Sequence, residues 1–441
     1  MRSSSVFFST LALTAIGLFS PTLPARAAPV ETVLYNFVAG HPSGGITVDA
    51  AGVLYGTTDA GGAAGYNDGG VFALRPPAAG KTKWTQSILY EFKNPSRGRG
   101  PSSGTLIFDA AGNLYGTDQN GGVRYCETTG EAPATVGCGL VFKLSPPASK
   151  GSGWTETTIY SFCGEKGQCA DGQFPSGSLS MNKSGQLFGS SNYINSVGVT
   201  ASNVGTFELM PPTSAKGRWS SGPLLRFLGI PIIDPQGALY GDLGIDVIGK
   251  LSPPAPGQTA WTLSETFSFS HFNNPAGGYE FSGALLYKDG ALYGTTLLGG
   301  TTSAACPVSC GVVFRLTQCM GPNGLTFCET VLHRFQGGAD GNEPMGLTAG
   351  SDGALYGTTM AGGETMSAGG RIGAKGILFK LTPPRAGKTT WTETVLHSFA
   401  GPPTDGEYPT TSPTVTADGT IYGMTARGGA NKGGVIYRVT Q

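Results

Sequence analysis

Three stretches of this chain share the pattern Asp-Gly-x-x-Pro: Asp171 to Pro175, Asp340 to Pro344 and Asp405 to Pro409. The last two also carry Glu343 and Glu407. Carboxylates repeated in loops can accept hydrogen bonds from sugar hydroxyls, or supply oxygen ligands to a hard cation such as Ca²⁺. Asp340 and Asp405 are the candidate cation ligands; Glu343, Glu407 and Asp171 are further candidate ligand contacts. His41 and His271 lie in corresponding loops of other repeats and complete the candidate set. The same pattern also reads as an Asx-type turn that aims the following strand.

Other motifs do not hold up. Gly100 to Gly104 fits G-x-S-x-G, but a nucleophile elbow needs a strand-to-helix turn, and this stretch precedes a strand. Gly80-Lys81-Thr82 and Gly387-Lys388-Thr389 lack the upstream glycine of a phosphate loop. His333 and His397 fill a slot that holds Tyr35, Tyr90, Tyr160 and Phe267 in other repeats, which points to packing. No catalytic residue is assigned. The eight cysteines fall into neighbouring pairs, Cys126 with Cys138, Cys163 with Cys169, Cys306 with Cys310 and Cys319 with Cys328. An even count without CxxC spacing reads as four disulfides in an oxidising compartment.

The elements that position these residues recur with Leu54-Tyr55-Gly56. The motif returns around Gly116, Gly189, Gly241, Gly294, Gly357 and Gly423, at steps of 60, 73, 52, 53, 63 and 66 residues. A second glycine precedes each copy by four residues. In the first repeat Ile46 to Val48 alternates like a strand and Asp49 to Gly52 forms a turn. Leu54 to Thr58 and Val71 to Leu74 follow as strands, and Pro76-Pro77 stops the ladder because proline has no N–H to donate. Trp84 opens a fourth strand. Four short antiparallel strands with tight turns make a propeller blade.

All five tryptophans (Trp84, Trp154, Trp219, Trp261 and Trp391) fall at this fourth-strand position. The fifth repeat carries Phe327 there, flanked by Cys319 and Cys328. The segment Glu31 to Phe37 matches a fourth strand, and the last repeat ends on its third. The N-terminal strand is therefore expected to complete the last blade, giving an all-β, seven-bladed propeller closed without free edges. Turns between first and second strands, and between third and fourth, share one face and are short. Second-to-third-strand loops and the blade-to-blade connections share the other face and vary in length, which is where binding is expected.

Net formal charge is zero and charged residues make up 13% of the chain. That argues against nucleic acid or anionic membrane partners. Residues 1–27 read as a signal peptide: Arg2, an apolar run from Val6 to Phe19, then Ala25-Arg26-Ala27. Residues 28–441 are then one propeller domain, expected as a periplasmic or extracellular monomer without a membrane span.

The run LYGTTxxGG followed by G-hydrophobic-F-K/R-L, with GTT at 294–296 and 357–359, resembles the GloVer tandem repeat of bacterial exported proteins. The resemblance covers residues 31–441 and implies a compartment but no activity. Members often carry a C-terminal anchoring tail; this chain stops at Gln441, so a free exported protein is expected. Function is read as a binding or scaffold module for a glycan or protein ligand on the variable face. The alternative is a propeller-type carbohydrate-active hydrolase or lyase using rim carboxylates. No cofactor is expected beyond the Ca²⁺ candidate.

Overall fold

The structure is a computed structural model. It describes residues 28–38, 41–59, 69–92, 101, 104–122, 125–127, 135–149, 151–164, 169, 171–193, 203–214, 216–225, 228–244, 246–269, 278–300, 302–303, 306, 309–321, 324–363 and 375–441. The signal-peptide segment and His271 lie outside the described residues, as do parts of several second-to-third-strand loops.

Seven four-stranded antiparallel sheets form the blades. Blade 1 is Pro42–Val48, Leu54–Thr58, Gly70–Arg75 and Thr85–Glu91, from inner to outer strand. Blade 7 is Thr414–Val415, Ile421–Thr425, Val435–Thr440 and, outermost, the N-terminal Val30–Asn36. The closure expected from the repeat phase is present, with Glu31 opposite Val439 and Asn36 opposite Val435. It satisfies the backbone groups of what would otherwise be two open edges.

The repeat motif now has a physical reason at each letter. The upstream glycine sits at positive φ in every turn, for example +76° at Gly52 and +84° at Gly419, a conformation costly for residues with a Cβ. The motif tyrosine donates to the aspartate of its own turn: Tyr55 to Asp49 at 2.9 Å, Tyr115 to Asp109 at 3.0 Å and Tyr240 to Asp234 at 3.0 Å. The motif glycine makes room for the third-strand aromatic. A Cβ on Gly357 would lie 2.4 Å from Phe379 Cζ, and one on Gly116 2.5 Å from Phe142 Cζ. Leucines and phenylalanines from neighbouring blades then fill the seams, and Leu54, Leu114, Phe142 and Phe379 are fully buried.

The four cysteine pairs form the disulfides expected. Cys126 Sγ lies 3.4 Å from Cys163 Sγ, so two of the bridges touch and join a blade 2 loop to the lead-in of blade 3. Among the described residues no cysteine is free, and no helix is long and apolar enough to cross a membrane.

Candidate functional site

A β-bulge sets the direction of the slot that holds His333 and His397. In blade 6 the register shifts between Leu378↔His397 and Phe379↔Val395, leaving Leu396 unpaired. Blades 1, 2, 5 and 7 shift at the matching place. A bulge bends its strand and re-aims the following side chain. Here it turns the slot residue toward the outer strand of the next blade, where it meets the residue two past the tryptophan position. Tyr35 donates to Gln86 at 2.6 Å, and the hydroxyls of Tyr160 and Ser221 bond at 3.0 Å, with Ser221 donating because the Tyr160 proton goes to Asp171. At the last two seams the partners are ionisable: His333 faces Glu393 and His397 faces Glu31.

The Asp-Gly-x-x-Pro aspartates join these seams. Asp171 accepts from Tyr160 at 2.6 Å. Asp340 Oδ1 lies 3.2 Å from His333 Nε2, and Asp405 Oδ2 lies 2.9 Å from His397 Nε2. Each aspartate also accepts a backbone N–H of its lead-in loop: Cys163 at 3.2 Å, Gln336 at 2.6 Å and Ala400 at 2.7 Å. These bonds are those of the Asx-type turn. The residue before each proline has positive φ (50° at Phe174, 58° at Glu343, 59° at Tyr408). Its N–H reaches the preceding blade, at Cys138 O, Cys310 O and Lys375 O. The motif is thus a clamp from one blade to the next. Such φ values cost free energy and persist only where surroundings enforce them.

The candidate carboxylates therefore group by seam. Asp340 belongs with His333, and Asp405 with His397. Glu343 directly precedes its proline, whereas Glu407 lies two residues before Pro409, so the two are not equivalent positions. His41 is exposed, with its ring 3.8 Å from Asp59. Glu31 and Glu393 were not foreseen. Burial pushes the Glu31 carboxyl up to about 7, Asp405 adds to this and His397 opposes it. Burial and Asp340 do the same to Glu393, also to about 7, against His333. One carboxylate oxygen of each, Oε1, is buried without a hydrogen-bond partner. Burial also pushes the phenol of the fully buried Tyr437 up, with Glu31 and Asp405 adding to it.

A cavity of about 1200 Å³ opens on the opposite, short-turn face, between blades 3 and 4. Glu208, Gln186, Ser221, Asp234, Trp261 and Tyr287 are among the residues that line it. Glu208 is buried. It accepts from Gln186 Nε2 at 3.1 Å and from the Trp261 indole N–H at 3.2 Å. Burial raises its carboxyl above the usual range, and the Trp261 bond opposes this. At the equivalent position other blades carry Lys143, Lys250, Arg315, Lys380 and Arg438, or Ala73. That departure from the K/R of the repeat is legible in the sequence. In blade 4 the inner strand Leu228–Ile233 is bonded to the four-residue strand Leu239–Asp242.

The blades and their circular closure define a seven-bladed β-propeller of four-stranded antiparallel blades. Within that class, the profile described as the Gloeobacter/Verrucomicrobia repeat matches residues 300–441. The C-terminal third of the chain thus carries the repeat that the resemblance implied. No curated protein matches. Similar solved structures include a calcium structure of a Trichoderma reesei protein of Carbohydrate-Active Enzymes Family AA12, at 14% identity. It covers 95% of this chain and 96% of that one, with a TM-score of 0.44. An iodide structure from the same family and organism gives 11% identity, 97% and 100% coverage and a TM-score of 0.43. A provisionally assigned gluconolactonase gives 12% identity, 94% and 92% coverage and a TM-score of 0.41. At these scores the likenesses carry no argument.

Proposed function

We propose that this protein is an exported binding module that takes a glycan into the cavity between blades 3 and 4. The observation that carries the reading is Glu208. A buried carboxylate replaces the cation or alanine of the other blades, and it is held facing the cavity by Gln186 and the Trp261 indole. Sugar hydroxyls donate well to such an acceptor, charge-assisted bonds being the stronger ones. The aromatic walls Trp261 and Tyr287 suit the apolar faces of a pyranose, and a mostly preformed cleft with a few convergent polar groups is the usual form of a ligand site. Four disulfides fit an oxidising, exported setting.

Soluble oligosaccharides of several linkage classes, screened on an array and followed by calorimetry, test this. Glu208→Gln keeps the side-chain shape and should weaken binding about tenfold, or ~1.4 kcal/mol, with little change in unfolding midpoint. An array without binders, or a variant that binds like the parent, overturns the reading. Release of new reducing ends from a bound oligosaccharide would replace it with the hydrolase alternative.

A further inference from the structure

We propose that Glu31, His397 and Asp405 form a site for a divalent transition-metal ion that fastens the N-terminal strand across the seam between blades 6 and 7. Glu31 lies on the closing strand, His397 on the outer strand of blade 6 and Asp405 on the connection between them. One ligand atom from each lies within 4.8 Å of the other two. A tetrahedral ion with ligands at ~2.0–2.2 Å holds its donors about 3.4 Å apart, so a modest rotation of Glu31 completes the set. His397 Nε2 and Asp405 Oδ2 already stand 2.9 Å apart. Asp405 is fixed by the backbone N–H groups of Ala400 and Gly406, at 2.7 and 2.6 Å. Backbone donors of this kind orient a carboxylate ligand from behind.

A second observation points the same way. Glu31 Oε1 is buried and has no hydrogen-bond partner. Native structures seldom leave such an oxygen unsatisfied, and a missing ion is one regular reason. A cross-seam link needs neither a histidine nor a second acid, since Tyr160, Asp171 and Ser221 make one with a single carboxylate and two hydroxyls. The related set Glu393, His333 and Asp340 is not among those that close to the 4.8 Å spacing, and it serves as an internal control. One imidazole nitrogen and two carboxylates suit Zn²⁺ or its neighbours. Ca²⁺, the candidate ion of the sequence reading, takes six to eight oxygens, which this set does not supply. The inference is independent of the glycan reading because the two sites lie at different seams.

The test uses the purified exported protein, stripped with chelator and titrated with Zn²⁺ alone. One equivalent should bind, and saturating Zn²⁺ should raise the unfolding midpoint by a few degrees, as expected for a ligand of the native state only. Co²⁺ in its place should give visible d–d bands. Glu31→Gln and His397→Gln should each weaken Zn²⁺ at least tenfold, while His333→Gln leaves it unchanged. Circular dichroism without metal reports whether each variant is folded. No stoichiometric Zn²⁺ in the parent, or unchanged affinity in a folded His397→Gln, overturns the proposal.

Discussion

Trp84 of blade 1 stands edge-on to Tyr422 of blade 7, with ring centroids 6.4 Å apart and planes at 69°. The same contact joins Trp154 to Tyr55, Trp219 to Tyr115, Trp261 to Phe188 and Trp391 to Tyr293. Phe327 takes the tryptophan's part against Tyr240. The fourth-strand tryptophan is therefore a seam contact, set on the aromatic of the preceding blade. Trp84→Ala should lower the unfolding free energy by about 3 kcal/mol through lost burial and a lost edge-to-face pair. Trp84→Phe should lose less, since blade 5 is built that way. Guanidinium unfolding of the two variants checks the order.

Removing Val30–Asn36 should expose the ladder of Val435–Thr440, which these residues now pair. An unpaired strand is a template for another chain. The shortened protein should elute as larger species than the parent in light-scattering chromatography. A monomeric, equally stable deletion would show that the closure contributes little.

The two disulfides of blade 5 should differ in weight. Cys319–Cys328 spans the hairpin of Val312–Gly321 and Gly324–Arg334 beside Phe327, in the blade that lacks both Trp and Pro-Pro. Cys306–Cys310 closes a loop with a sequence separation of 4, against 9 for the hairpin bridge. The longer loop removes more unfolded-state entropy. Replacing both cysteines of the hairpin bridge by serine should lower the melting temperature more than the same change at the loop bridge.

What the sequence made legible was what repeats. Gly357 and Phe379 recur together because only glycine leaves room for the ring, and Tyr55 recurs with Asp49 because its hydroxyl needs that acceptor. Blade phase predicted the pairing of Glu31 with the last strand. The seam between Glu31 and His397 was harder to see. It requires the ring to be closed first and the bulge at Leu396 to aim the imidazole, and neither appears in local spacing. The aspartates of the repeated turn are legible as Asx-type turn residues, but their side-chain partners lie on outer strands. Glu208 reverses the sign of its position within the repeat, on the face of short, uniform turns where loop variation gives no signal.

The last prediction concerns pH. Glu393 has its carboxyl raised from 4.5 to about 7 by burial and by Asp340, with His333 opposing. In the unfolded chain it titrates near its ordinary value. Between about 4.5 and 7 the folded protein therefore holds more of this proton, so stability falls as pH rises through that window. Below it both states are protonated and the effect is absent; above it the full penalty applies. Solvent screening of a partly exposed outer strand reduces the penalty to about 1–2 kcal/mol. Glu393→Gln keeps the shape without the charge, so the variant should gain on the parent as pH rises and lead by that amount at pH 8. Urea unfolding of both proteins at pH 5, 6, 7 and 8, in chelator, gives the comparison. A difference that stays constant across the series would mean that Glu393 is ionised throughout, and that a partner for its buried oxygen has been missed.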